Sequence, residues 1–156
     1  MKKLISTTFI LFALAACGYA QTAAAPVKFQ RFGSYFEKNN SNLKGETSFL
    51  AFTTQQQFDK VFGTAATMGK NDFMPPDVFK SKIVVAAIKR GALRTYEDVK
   101  ITSEKGKLYV SYNVNDDAPG SATFSSPLIV AVPKGKYKEI VFVENGKQTG
   151  TGRVQK

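Results

Sequence analysis

The chain of 156 residues contains no histidine, no tryptophan and one cysteine, Cys17. Without imidazole, Ser-His-Asp and Cys-His catalysis and His-ligated metal sites are excluded. The commonest general base near neutral pH is missing as well. One cysteine permits no intramolecular disulfide, and its place beside an N-terminal leader leaves the downstream domain without a thiol nucleophile or a Cys metal ligand. Arginine is scarce, at positions 31, 90, 94 and 153 only. Glycines occur without a phosphate-loop spacing, and no Ser-x-x-Lys is present. The expectation is a protein that is not an enzyme and uses no cofactor and no metal.

What is present begins with an address. Met1-Lys2-Lys3 forms a positive n-region, and Leu4 to Ala16 follows as 13 uncharged, largely apolar residues. That length suits a signal-peptide h-region of ~7–15 residues and falls short of the ~20 that cross a bilayer as a helix. Leu14-Ala15-Ala16-Cys17 looks like a bacterial lipobox, which predicts a signal peptide over 1–16 and lipid attachment at Cys17. Several acyl chains at about 0.8 kcal/mol per buried CH₂ would make a durable anchor. Gly18-Tyr19-Ala20 before Gln21 is an alternative small-x-Ala site, and cleavage after Ala20 would release a soluble periplasmic or secreted protein. Gly18 rather than Asp follows Cys17, which favours the outer membrane where lipoproteins are sorted by the enteric rule.

Removing Lys2 and Lys3 from the 22 basic residues leaves 20 against 12 acidic ones, a mature charge near +8. The lysines are spread along the chain and flank turns, as in Glu104-Lys105-Gly106-Lys107 and Lys134-Gly135-Lys136. Dispersed lysine predicts a solvated surface, and an exported chain offers no reason to expect nucleic acid as a partner.

Residues 17–26 end in Gln-Thr-Ala-Ala-Ala-Pro and read as a lipidated tether; residues 27–156 read as a single β-rich globular domain. Strands are expected over Val27–Phe36, Thr47–Phe52, Lys82–Ile88, Glu97–Ile101, Lys107–Val114, Leu128–Val132, Ile140–Glu144 and the edge segment Lys147–Val154. The six apolar residues Ile83 to Ile88 mark a strand buried on both faces. Asn145-Gly146 and Lys105-Gly106 mark hairpins. One helix is expected: Thr54 and Gln57 form a capping-box pattern, Phe58, Val61 and Phe62 share a face, and Gly63 offers a stop. The fold class is α+β, a mainly antiparallel sheet, sandwich or half-barrel like, with one short docked helix.

Asp116-Asp117 lacks the further oxygens that calcium requires and reads as a solvated turn. Glu97-Asp98 reads as a local ion-pair partner for Arg90 and Arg94. The segment Lys89 to Tyr96 joins the most buried strand to an alternating one and concentrates cations beside an aromatic. Arg and Tyr are enriched at interface hot spots, so Arg90, Gly91, Arg94 and Tyr96 are the candidate partner-binding residues.

From Phe79 to Phe142 the order of elements is an apolar strand (Ile83 to Ile88), a Gly/Arg/Tyr turn (Arg90 to Tyr96), an alternating strand (Lys107 to Val114), a proline-bounded strand (Pro127 to Pro133) and a closing Ile140-Val141-Phe142. This order resembles the C-terminal domain of the PrcB-type family, accessory lipoproteins of bacterial protease complexes. Arg94-Thr95 stand before Tyr96 where the family shows Gly-Gly-Tyr, so only Gly91 and Tyr96 carry over, with a turn-forming role. The resemblance implies an exported, membrane-anchored accessory or regulatory subunit that binds another exported protein, a protease among the candidates. The alternative is an envelope glycan or small-ligand binding module that uses Tyr109, Tyr112 or the Tyr96 turn.

Overall fold

A computed structural model describes residues 24–65, 71–116 and 125–152. Cys17, the signal peptide 1–16, the alternative site at Ala20, most of the tether and Asp117 lie outside the described residues.

Alternation and turn chemistry build most of the chain into strands. β1 (Ala25–Pro26), β2 (Gln30–Phe32), β3 (Tyr35–Glu37) and β4 (Thr47–Phe52) lead into helix α1 (Gln55–Val61), which is followed by β5 (Phe62–Thr64). Helix α2 (Val78–Ser81) then opens onto β6 (Lys82–Arg90), β7 (Arg94–Glu104), β8 (Lys107–Asp116), β9 (Ser125–Pro133), β10 (Glu139–Glu144) and β11 (Lys147–Gly152). Among the described residues this makes a β-rich fold of mainly antiparallel sheets with two short helices. The first expected strand is divided: Gly33-Ser34 separates β2 from β3, and β1 already pairs Ala25 with Ser103, inside the segment expected to be tether.

A four-stranded sheet in the order β2-β9-β6-β4 forms the middle layer. Its residues alternate between two cores, as period-2 side-chain geometry requires. Val84, Ala86, Ile88, Ile129 and Ala131 face a cluster with Phe52, Phe58, Phe62, Val78 and Phe79 from the helical side. Ile83, Val85, Ala87, Leu128, Val130 and Val132 face a second cluster with Ile101, Leu108, Val110, Ile140 and Phe142 from the five-stranded sheet β1-β7-β8-β10-β11. Burial on both faces is why β6 reads as an uninterrupted apolar run. On β8, Leu108, Val110 and Tyr112 are buried on one side, with Val114 packed at the margin, as the alternation predicts.

Helix α1 has the expected capping box. The Thr54 hydroxyl accepts from the Gln57 amide, and the Gln57 side chain accepts from the Thr54 amide, both at 3.3 Å. Gly63 is not its stop. Phe62 adopts extended geometry at φ −111, and the chain passes directly into β5, where Gly63 lies opposite Phe36 and beneath its ring. A helix of seven residues is too short to hold in water. Phe58, completely buried among Phe52, Phe62 and Tyr35, supplies the docking that sustains it. Helix α2, a single turn after Pro75-Pro76, was not expected; it has no helical periodicity beyond Val78 and Phe79.

Both expected hairpins form. Lys105 and Gly106 take φ values of 49 and 79, and Asn145 and Gly146 take 49 and 77, the left-handed pair that matches strand twist. β10 pairs with β8 in parallel, contrary to a purely antiparallel sheet. The physical reason is that β9, which lies between them in sequence, belongs to the other sheet, so the chain crosses over and returns in the same direction. β11 ends its sheet, as expected for an edge strand, and Gly150 lets it pass against the Phe49 ring of β4, where a Cβ would meet ring carbon at 2.1 Å.

Candidate functional site

The turn from β6 to β7 stands at one end of both sheets, on a base of polar contacts drawn from four distant segments. Arg90 ends β6 with its guanidinium turned inward. Nε and Nη2 donate to the two Glu37 carboxylate oxygens at 2.8 and 2.6 Å, a planar fork-to-fork pair. Nη1 donates to the Gly45 carbonyl and the Ser48 hydroxyl at 2.8 and 3.1 Å. Glu37 also accepts from Ser125 and Ser41 at 2.7 and 2.8 Å, and its side chain is 8 % exposed. Burial pushes this carboxyl up, but the hydrogen bonds from Arg90, Ser125 and Ser41 together with the Arg90 charge outweigh burial and hold it below its ordinary value.

For Arg90 this network corrects the expected ion pairing. The carboxylate that Arg90 takes is Glu37, far away in sequence, and Asp98 instead accepts from the Asn113 side chain at 2.9 Å. Asp98, at φ 49, sits in a β-bulge between Glu97 and Lys100 that interrupts the outer strand β7.

The tip itself is held from beneath. The Arg94 guanidinium donates to the Arg90 carbonyl at 2.9 Å, and the Arg94 amide donates to the Ser126 hydroxyl at 3.0 Å. Gly91 adopts φ 101 with no atom within 4 Å of a would-be Cβ, so conformation rather than space requires glycine there. Leu93 is left 50 % exposed at the summit.

Tyr96 is corrected as a contact residue. It is 4 % exposed, its hydroxyl donates to the Ser126 carbonyl at 2.6 Å, and its ring packs edge-on to Tyr112 with centroids 5.5 Å apart. Arg90 is corrected likewise, because four of its five guanidinium N–H groups donate inside the protein. Gly91 and Arg94 remain at the tip. Tyr112 is as buried as Tyr96, so neither ring offers a face on which a sugar could stack; Tyr109 is half-buried. Leu93, Glu37 and the two serines of β9 were missed from sequence. Leu93 had a signal, an apolar residue stranded between a glycine turn and an arginine; Glu37 had none.

Burial, with the nearby Glu144 charge, pushes both buried phenols upward. Among the described residues the Tyr112 hydroxyl makes no hydrogen bond of good geometry, although the Thr149 and Glu144 side chains stand beside it, whereas the Tyr96 hydroxyl donates to the Ser126 carbonyl. Tyr96→Phe is therefore expected to cost about 1 kcal/mol and Tyr112→Phe less, since a poorly made bond to a buried hydroxyl contributes little. Urea unfolding of the two variants checks this.

Cavities among the described residues lie elsewhere. One of about 270 Å³ is an apolar groove lined by Pro26, Val27, Phe29, Val99 and Ile101. Another, of about 310 Å³, lies between α1 and β4 and is lined by Ser41, Leu43, Gln57 and Lys60. Neither contains a carboxylate. Among the described residues no group of three acidic side chains could hold a metal ion, and no helix is long and apolar enough to cross a membrane. Comparison with family models, curated proteins and solved structures found no match to this chain.

Proposed function

We propose that this chain is an exported lipoprotein, anchored through Cys17, whose domain acts as an accessory that binds another exported protein through the β6–β7 tip. The observation that carries the reading is Leu93, half exposed on a turn that Arg90, Glu37, Arg94 and Ser126 hold rigid. An apolar side chain on a preformed tip loses little entropy on binding, which is how a small contact gains affinity. The groups beneath it, a carboxylate held ionised and phenols held protonated, suit a scaffold better than proton transfer near neutral pH. The resemblance of the element order to that of PrcB-type accessory lipoproteins adds a protease complex to the candidate partners. We read the two stacked sheets, with β11 closing against β4, as a half-barrel that serves as the platform for this tip.

Affinity capture from detergent-solubilised membranes tests the reading. The unaltered chain is expected to retain a discrete partner, and Leu93→Asp to lose it by more than about tenfold while unfolding at the same denaturant concentration, as a hot spot of ~2 kcal/mol would. Equal recovery by both chains would count against the tip.

A further inference from the structure

The lysines that look dispersed in sequence are gathered by the fold. The β7–β8 hairpin turn, the β9–β10 loop and helix α2 all lie at the end of the sheets opposite the Leu93 tip. Their proximity is direct: the Lys138 amide donates to the Gly106 carbonyl at 2.8 Å, and the Lys134 amide to the Ser81 carbonyl at 2.9 Å. These three segments expose Lys80, Lys105, Lys107, Lys134, Lys136 and Lys138. Their acidic residues are Asp77, Glu104 and Glu139. Glu139 pairs with Lys107 at 2.7 Å and Glu104 with Lys105 at 3.4 Å. Among the described residues no carboxylate pairs with Lys80, Lys134, Lys136 or Lys138. At the opposite end Arg90 and Lys89 are matched by Glu37 and Glu144.

The N-terminal chain enters at this same basic end. β1 runs antiparallel to β7 with Ala25 opposite Ser103 and Pro26 opposite Thr102, so β1 begins on the side of Glu104 and Lys105. The eight steps from Cys17 to Ala25 span at most about 28 Å. An anchor at Cys17 thus brings the lysine-rich end, rather than the tip, down to the bilayer.

We propose that this end is a membrane-facing surface that binds anionic phospholipid headgroups and stands the domain upright. Resting on the lipoprotein reading, it places the Leu93 tip about 30 Å further out, the length of β7 at 3.3 Å per residue. Each lysine near an anionic surface raises association about fivefold, and the attraction fades beyond a Debye length of about 8 Å at physiological salt. Several lysines on one end are therefore enough to fix orientation once the anchor has fixed proximity.

The test uses the full chain exported and purified from membranes in detergent, with intact mass recording whether Cys17 carries acyl groups. The protein is reconstituted in phosphatidylcholine vesicles with or without phosphatidylglycerol, and lysine acetylation is read residue by residue. With phosphatidylglycerol, acetylation at Lys134, Lys136 and Lys138 is expected to fall about fivefold or more, and high salt is expected to restore it. Lys44 and Lys147, exposed away from this end, should be unchanged. Equal acetylation at the three lysines in both lipids would overturn the proposal. If the mass shows no acyl group, the anchor reading fails separately, and co-sedimentation with the same vesicles decides the basic end alone. Salt-sensitive binding lost in the Lys134→Glu/Lys136→Glu/Lys138→Glu variant would uphold it, and absence of binding would overturn it.

Discussion

Arg90→Met is expected to destabilise the domain by about 3 kcal/mol, the lower end of the cost of breaking a buried ion pair, because the Arg90 side chain keeps 20 % exposure. The substitution keeps most of the aliphatic stem and removes the fork. Glu37 is then left nearly buried with only Ser41 and Ser125 as donors, and the Gly45 carbonyl loses its partner. Glu37→Gln/Arg90→Met is expected to recover part of the loss, since no uncompensated charge remains, and the double-mutant cycle reads the coupling directly. The pH dependence gives an independent readout. Glu37 is held below its ordinary value of 4.5, so the unfolded chain takes up its proton first as pH falls. The stability it contributes is fully present above that value and is lost as pH drops through the lower folded value. Urea titrations of the unaltered chain should lose stability from about pH 5 downward, and in Glu37→Gln that segment should flatten. A loss of Arg90 without cost, or an unchanged acid limb in Glu37→Gln, would mean the network beneath the tip is not built as described.

Phe58→Ala has an expected cost of about 3–5 kcal/mol, as for other buried aromatics. Phe58 is completely buried and meets Tyr35, Phe52, Phe62 and Phe79 at ring-centroid distances of 5.1, 5.4, 4.8 and 6.3 Å. Because α1 is held by docking rather than by its own length, the loss should appear first as melting of that helix. Hydrogen exchange of the α1 amides should accelerate ahead of β6 and β9, whose residues line both cores.

The contrast between these two positions shows what a sequence can and cannot disclose. Phe58 was legible because a capping box and an apolar stripe are local patterns, each written within eight residues. The buried run Ile83 to Ile88 was legible for the same reason, as were the two hairpins, whose residues tolerate positive φ. Glu37 was not legible. Its partner stands at the far end of β6, beyond β4, α1, β5 and α2, and nothing near Glu37 marks it as buried. The parallel pairing of β8 and β10 was hidden too, since it depends on β9 joining the other sheet. Arg90 and Tyr96 read from sequence as candidate partner-binding residues, but their composition suits a surface hot spot and a buried brace equally; only packing distinguishes the two. The lysines posed the opposite problem. Spacing along the chain made them look scattered, and topology brings them to one end.

The proposed contact puts the Leu93 tip against another exported protein. Its most direct measurement is site-specific photocrosslinking in intact cells, with the reactive side chain at position 93 in one chain and at position 147 in another. A single discrete protein adduct from position 93, in excess of any from position 147, is the predicted result. Equal or absent adducts at position 93 in a chain that is folded and correctly exported would contradict it.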